Sequence, residues 1–134
     1  MAARSYELRG VRIFECSAEG PQLLNDRDAV DFMSEAREHR ANFIVIPVER
    51  LSADFFRLKT GIAGGILQKF VTYGVRVAIL GDISRYLEES ASLNAFVYES
   101  NRGSQRWFVA NHEELDKRLE RECAVPRNSG KMAE

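Results

Sequence analysis

Phe43-Ile-Val-Ile-Pro-Val48, then Asp54-Phe-Phe-Arg-Leu-Lys-Thr-Gly-Ile-Ala-Gly-Gly-Ile-Leu-Gln-Lys-Phe-Val-Thr-Tyr73, then Val75-Arg-Val-Ala-Ile-Leu80: these three pieces decide the reading of the chain. The outer two are near-continuous apolar runs of strand length, which suit strands covered on both faces. The middle piece carries a helical pattern. Ile62, Ile66 and Phe70 repeat at four-residue spacing, and Ala63, Leu67 and Val71 do the same one step on, so together they make one broad apolar face. Gly64, Gly65, Gln68, Lys69 and Thr72 fall on the other face. Two adjacent glycines inside a helix cost about 1 kcal/mol each relative to alanine. That cost implies a closely packed neighbour, a ligand or a partner at this face.

Outward from this unit the same alternation continues. Arg4 to Arg9 and Val11 to Cys16 alternate apolar and charged residues, as half-buried strands do, and Gly10 joins them too tightly for parallel neighbours, so they form a hairpin. Gly20 and Pro21 break the following loop. Asn25 caps a helix with Asp28 in its first turn, and Ala29, Phe32, Met33 and Ala36 make its buried stripe. Pro47 marks the end or edge of the third strand. Gly74 stops the central helix, and Asp82 or Ser84 caps a short helical turn after the fourth strand. Ser92 caps a helix ended by Gly103, and Arg106 to Ala110 is the last strand. Asn111 and Glu114 form a capping box for a final helix whose buried face is Leu115, Leu119 and Cys123. The expected fold is a single α/β domain over residues 1–123, in the order ββαβαβαβα, with a mixed, mostly parallel sheet and flanking helices. Residues 124–134 are read as a polar, disordered tail.

Composition narrows the function. The chain has 134 residues, 45% of them hydrophobic and 29% charged, with a formal net charge of -1. That length is one domain with a core needing no staples. The charge gives no global attraction to nucleic acid or anionic membrane. No apolar run is long enough to span a bilayer, and the N-terminus lacks a signal-peptide core, so the expected location is cytoplasmic. Cys16 and Cys123 have no metal-ligand spacing and are read as free thiols. No metal, no cofactor and no catalytic constellation are expected. His39 and His112 sit at outer helix ends, which argues against a histidine base.

The candidate site is the edge around Thr60. Thr60 is placed to cap the central helix, whose N-terminus offers free N–H groups to an anion; Lys59 adds charge beside Gly61. The Gly-x-x-x-x-Gly-Lys-Ser/Thr order of a phosphate loop is absent. Ligand crevices in such sheets open beyond the carboxyl ends of parallel strands, which brings in Asp82 and Ser84. Asn101 and Arg102 form a further polar cluster. Phe55 and Phe56 are adjacent in a loop read as extended, where one is an exposed anchor for a partner, or both plug the start of the helix. Two functional readings follow. One is a small regulatory or protein-interaction domain, homodimeric, with a switch at Thr60. The alternative is a binder or enzyme for an anionic small ligand at the same edge.

Phe55-Phe56, Leu58, Thr60-Gly61-Ile62-Ala63-Gly64, Ile66-Leu67-Gln68-Lys69-Phe70, Ala78-Ile79, Gly81-Asp82, Ser84, and Phe96 through Glu99-Ser100-Asn101 with Gly103 resemble bacterial domain-of-unknown-function family 4180. The resemblance covers nearly the whole chain to about residue 120, and it implies no established activity. The family usually has acidic residues where Arg57 and Gly65 stand, so a site shared by those carboxylates is missing here. The element order is also similar to the STAS domain of anti-sigma-factor antagonists and anion-transporter tails. That resemblance implies a phosphorylatable Ser or Thr at the start of the helix after the second parallel-type strand, and Thr60 with Gly61 is the matching position.

Overall fold

A computed structural model describes residues 3–124. The five strands are β1 (Arg4–Leu8), β2 (Val11–Glu15), β3 (Phe43–Pro47), β4 (Arg76–Leu80) and β5 (Arg106–Val109). They lie in the order β1-β2-β3-β4-β5, with β1 antiparallel to β2 and every later pair parallel. The helices are α1 (Asp26–Glu38), α2 (Ile62–Thr72), α3 (Ser84–Glu89), α4 (Ala91–Arg102) and α5 (His112–Ala124). The expected mixed, mostly parallel sheet with flanking helices is the fold observed, with one helix more than expected between β4 and β5.

Each strand steps to the same side of the last, and right-handed crossovers then put every crossover helix on one face. Alternation along the strands sorts the core accordingly. Phe14, Ile44, Ile46, Val77, Ile79 and Phe108 face α1, α2 and α4. Ile13, Phe43, Val45, Ala78, Trp107 and Val109 face α5, which covers them with Leu115 and Leu119. No strand follows α5, so the crossover rule does not constrain it, and it takes the other face. Ion pairs tie it down: Arg9 to Asp116 at 2.9 Å, and Arg76 to Glu122 at 2.9 Å. Arg76 also lies over the rings of Phe43 and Trp107, at 4.9 and 5.1 Å.

Three local expectations are corrected. Between β3 and α2 the chain is not extended but winds through short 3-10 turns at Val48–Arg50, Ala53–Phe56 and Leu58–Thr60. The Thr60 side chain does not cap α2 in the usual way. The capping position belongs to Gly61, at φ 77°, a left-handed conformation that glycine adopts without a Cβ penalty. Finally, Ser90 rather than Ser92 caps α4, its hydroxyl accepting from Leu93 N–H at 3.0 Å; Ser90 also ends α3, so one residue closes one helix and opens the next. Asn25 and Asn111 cap α1 and α5 as their positions predict, accepting from Asp28 and Glu114 N–H at 2.9 Å each. The Cys123 side chain and the tail beyond Ala124 lie outside the described residues.

Candidate functional site

The Thr60 loop is built around a plug. One 3-10 turn rotates neighbouring side chains by about a third of a circle, so Phe55 and Phe56 both turn inward, at 0% and 3% exposure. Their rings meet edge to face at 5.2 Å, and Phe56 stacks on Tyr86 of α3 at 4.4 Å. Neither is an exposed anchor; together they fix the loop to the sheet and to α3. Thr60 then closes the loop from the outside. Its hydroxyl lies 2.9 Å from the Asp54 carbonyl and 2.8 Å from the Arg57 carbonyl, sharing its one proton between them, and accepts from Ile62 N–H at 3.3 Å. Arg57 donates to Asp54 at 2.8 Å.

This loop is a ridge between two grooves. On one side, Lys59 lines a groove of about 460 Å³ with Phe56, Tyr86 and Glu89. On the other, Thr60, Gly61 and Gly65 line a groove of about 390 Å³ with Leu24, Ile62 and Ile66. The second groove runs onto the glycine face of α2. A Cβ built on Gly64 meets nothing within 4 Å, and one on Gly65 meets only an Asp26 carboxylate oxygen, at 3.8 Å. Close packing among the described residues therefore does not account for either glycine. Leu24, at the rim, is 47% exposed.

The other expected site residues do not gather here. Asp82 sits at the carboxyl edge of β4, where its carboxylate accepts from Ser84 N–H at 2.9 Å and is held below the usual carboxylate range by that bond. Asn101 stands against β5 instead. It accepts from Phe108 N–H at 2.7 Å and donates to the Phe108 carbonyl at 3.3 Å. Val77 and Gly81 N–H groups bond Gln105 and Val109 carbonyls from the β4 side, so Phe108 faces the open edge. The amide of Asn101 thus stands in for a sixth strand at that residue. Arg102 is exposed, and among the described residues it pairs with Glu99 of its own helix at 3.6 Å and lies over the Tyr98 ring at 5.7 Å.

A second cluster escaped the sequence reading. At the carboxyl edge the loops after β2, β3 and β4 turn to one face, while the chain after β5 turns to the other. The gap between them is a cavity of about 420 Å³. Its walls include Pro47, Leu80 and Ala110, and its polar groups include Glu15, Glu49 and His112. His112 Nε2 lies 3.0 Å from both oxygens of Glu15, which also accepts from Tyr6 at 2.7 Å and from Arg4 at 3.4 Å. Burial, reinforced by the Glu15 bond, pushes the Tyr6 hydroxyl well above its usual range, so it stays a donor. Cys16 reaches the same cavity, but burial pushes its thiol up to about 12, which leaves no thiolate near neutral pH. His112 does sit at a helix end, as expected; that end lies on the carboxyl edge. The available signal was that Glu15 ends the parallel strand β2 and His112 follows β5 closely, although 97 residues separate them.

Fold and edge together define a small mixed α/β domain with an open helix face and a polar cavity at the carboxyl edge of its sheet. The chain belongs to the family described as Domain of unknown function (DUF4180), which matches residues 8–119. No curated protein and no solved structure matches the chain. Among the described residues no helix is long and apolar enough to cross a membrane, and no group of three or more His, Cys, Asp or Glu side chains is placed to hold a metal ion.

Proposed function

We propose that this is a protein-interaction domain of a regulatory kind, and that its contact face is the open glycine face of α2, paired with a second copy of the chain. One observation carries the reading. Gly64 and Gly65 are the third and fourth residues of an 11-residue helix, at a cost of up to about 1 kcal/mol each, and nothing among the described residues uses the space they leave. A backbone from outside the chain can approach α2 there more closely than any side chain permits. Two-fold pairing is the commonest form of such contacts. The half-buried Ile62 and the exposed Leu24 supply apolar surface at the rim.

Thr60 is the regulated position in this proposal. It is exposed at the lip of the same groove. A phosphoryl group would bring about -1.5 to -2 charge at pH 7 and would remove the proton that closes the loop on Asp54 and Arg57. The likeness to STAS domains in element order points the same way. An anionic ligand at this edge has less in its favour. Arg57 is taken by Asp54 and Lys69 lies 3.8 Å from Asp26, which leaves Lys59 beside one groove and Arg27 beside the other without an ion pair among the described residues, so the two do not converge on one groove.

Sedimentation equilibrium tests the proposal. Wild-type protein is expected to dimerise, and Gly64→Gln to remain monomeric with an unchanged circular-dichroism spectrum. Thr60→Glu is expected to weaken the dimer without unfolding the domain. A wild type that stays monomeric at every concentration would sink the contact-face reading. A Thr60→Glu dimer as tight as wild type would remove the switch alone.

A further inference from the structure

The carboxyl-edge cavity carries its own argument, independent of the α2 face. Its central carboxylate is already saturated with donors. Glu15 is nearly buried, with 13% of its side chain exposed, and takes the Tyr6 hydroxyl, the Arg4 guanidinium and the His112 ring. A ring nitrogen 3.0 Å from both oxygens of a carboxylate is a donor. In the neutral imidazole the proton is therefore fixed on Nε2, and Nδ1 carries the lone pair. Nδ1 has no partner among the described residues, and His112 lines the cavity. Glu49 lines the same cavity and makes no hydrogen bond or ion pair among the described residues.

Among the polar groups left unused, Glu49 is a full negative charge and Nδ1 of the neutral His112 ring is an acceptor, while the Asn111 side-chain NH2 is a donor. Of the two cationic neighbours, Arg4 is committed to Glu15, and Arg50, behind Cys16 and Ser17, gives its N–H groups to the Pro21 and Ser17 carbonyls. The thiol of Cys16 stays protonated and contributes no charge of its own. Ala18, Pro47, Leu80 and Ala110 give the wall its apolar part. A ligand matched to this lining brings donors and positive charge at one end and a short apolar body at the other.

We infer that the cavity between Glu49 and the Glu15–His112 pair is a binding site for a small organic ammonium ion with an aliphatic body. The ammonium donates to Glu49 and to His112 Nδ1. Glu15 does not touch the ligand; it is a positioning residue that holds the imidazole in the tautomer able to accept. The apolar body lies against Pro47 and Leu80. A carboxylate of the same shape meets the Glu49 charge directly, and the matching alcohol lacks the charge.

Three probes with one body separate head-group recognition from simple cavity filling: n-butylammonium, n-butanol and butyrate. Each is titrated into the full chain and followed by amide-correlation NMR, in the millimolar range that ligands of so few atoms reach. The inference expects saturable shifts at Glu15, Glu49, Gly81 and His112 with butylammonium, and binding at least about tenfold weaker for the other two. Glu49→Gln and His112→Ala are each expected to weaken butylammonium by about tenfold while the remainder of the spectrum stays in place. Glu15→Gln, which still accepts a hydrogen bond but no longer matches the donors around it, is expected to weaken butylammonium while leaving Glu49 in place. Equal binding of butanol would mean a merely greasy cavity. Tighter binding of butyrate, no saturation with any probe, or butylammonium binding that survives both Glu49→Gln and His112→Ala would each overturn the inference.

Discussion

Gly64→Ala is the perturbation from which most can be learned, because its two effects have opposite signs. In the isolated domain the substitution should stabilise. Gly64 is inside α2, a Cβ there meets nothing within 4 Å, and no left-handed conformation stands in the way. Alanine then gains the helix propensity of about 1 kcal/mol and loses nothing in packing. For a domain of this size that is a rise of roughly 3–5 °C in Tm. Association works the other way. If a second copy rests on the glycine face, the new methyl holds the two backbones apart, and the mass-action stabilisation that dimerisation lends the wild type is reduced. Thermal unfolding is therefore followed across a wide range of protein concentration. In dilute solution Gly64→Ala should melt above the wild type; as concentration rises, the wild-type Tm should climb while that of the variant stays flat. A variant that melts below the wild type in dilute solution would show that the space over Gly64 is not open. Parallel concentration dependence in both proteins would show that the glycine face is not the contact.

Three further outcomes follow from the same geometry. Gly61→Ala should destabilise by about 1 kcal/mol, since φ 77° is left-handed and an L-residue pays for it there; denaturant melting with an unchanged m-value checks this. Asn101→Ala uncovers the N–H and carbonyl of Phe108 at the sheet edge and should cost about 1–3 kcal/mol, with added light scattering on standing as the edge is freed. The Cys16 thiol, pushed up to about 12 in the fold from an ordinary 9.0, favours the folded state only while protonated. Its contribution is fully present below pH 9.0 and is lost as pH rises towards about 12. A Cys16→Ala variant should show a shallower fall in Tm over that alkaline range than wild type, and an identical slope would contradict the burial argument.

The fold was legible wherever the cause was local. Apolar runs marked β3 and β4, the four-residue spacing of Ile62, Ile66 and Phe70 marked α2, and Asn25 and Asn111 marked helix starts, because each depends on neighbours within a turn or two. The loop between β3 and α2 was read as extended because nothing in Leu51 to Lys59 encodes a 3-10 turn by itself. Phe55 and Phe56 are buried together only because that turn swings both rings towards the core. Asn101 read as a candidate binding residue in a polar cluster with Arg102, since the edge it seals, at Phe108, exists only once β5 has paired with β4. The Tyr6–Glu15–His112 contact joins the two ends of the chain, and no short-range pattern announces it. The glycine pair was the reverse case. Its cost was visible in the sequence, and the structure removed the commonest explanation for it.

Cysteine cross-linking tests the contact face most directly. In a Cys123→Ser background, with Cys16 buried in the core, Gln68→Cys places a thiol one turn beyond Gly64 on the open face of α2, outside the space the glycines leave. A second variant, Glu88→Cys, places one on the exposed side of α3. Two-fold pairing across α2 brings the two Gln68→Cys thiols within reach of a short bis-maleimide linker. Treatment with that linker should then yield a covalent dimer from Gln68→Cys and none from Glu88→Cys. No cross-link from Gln68→Cys, or equal cross-linking from both, would contradict the account.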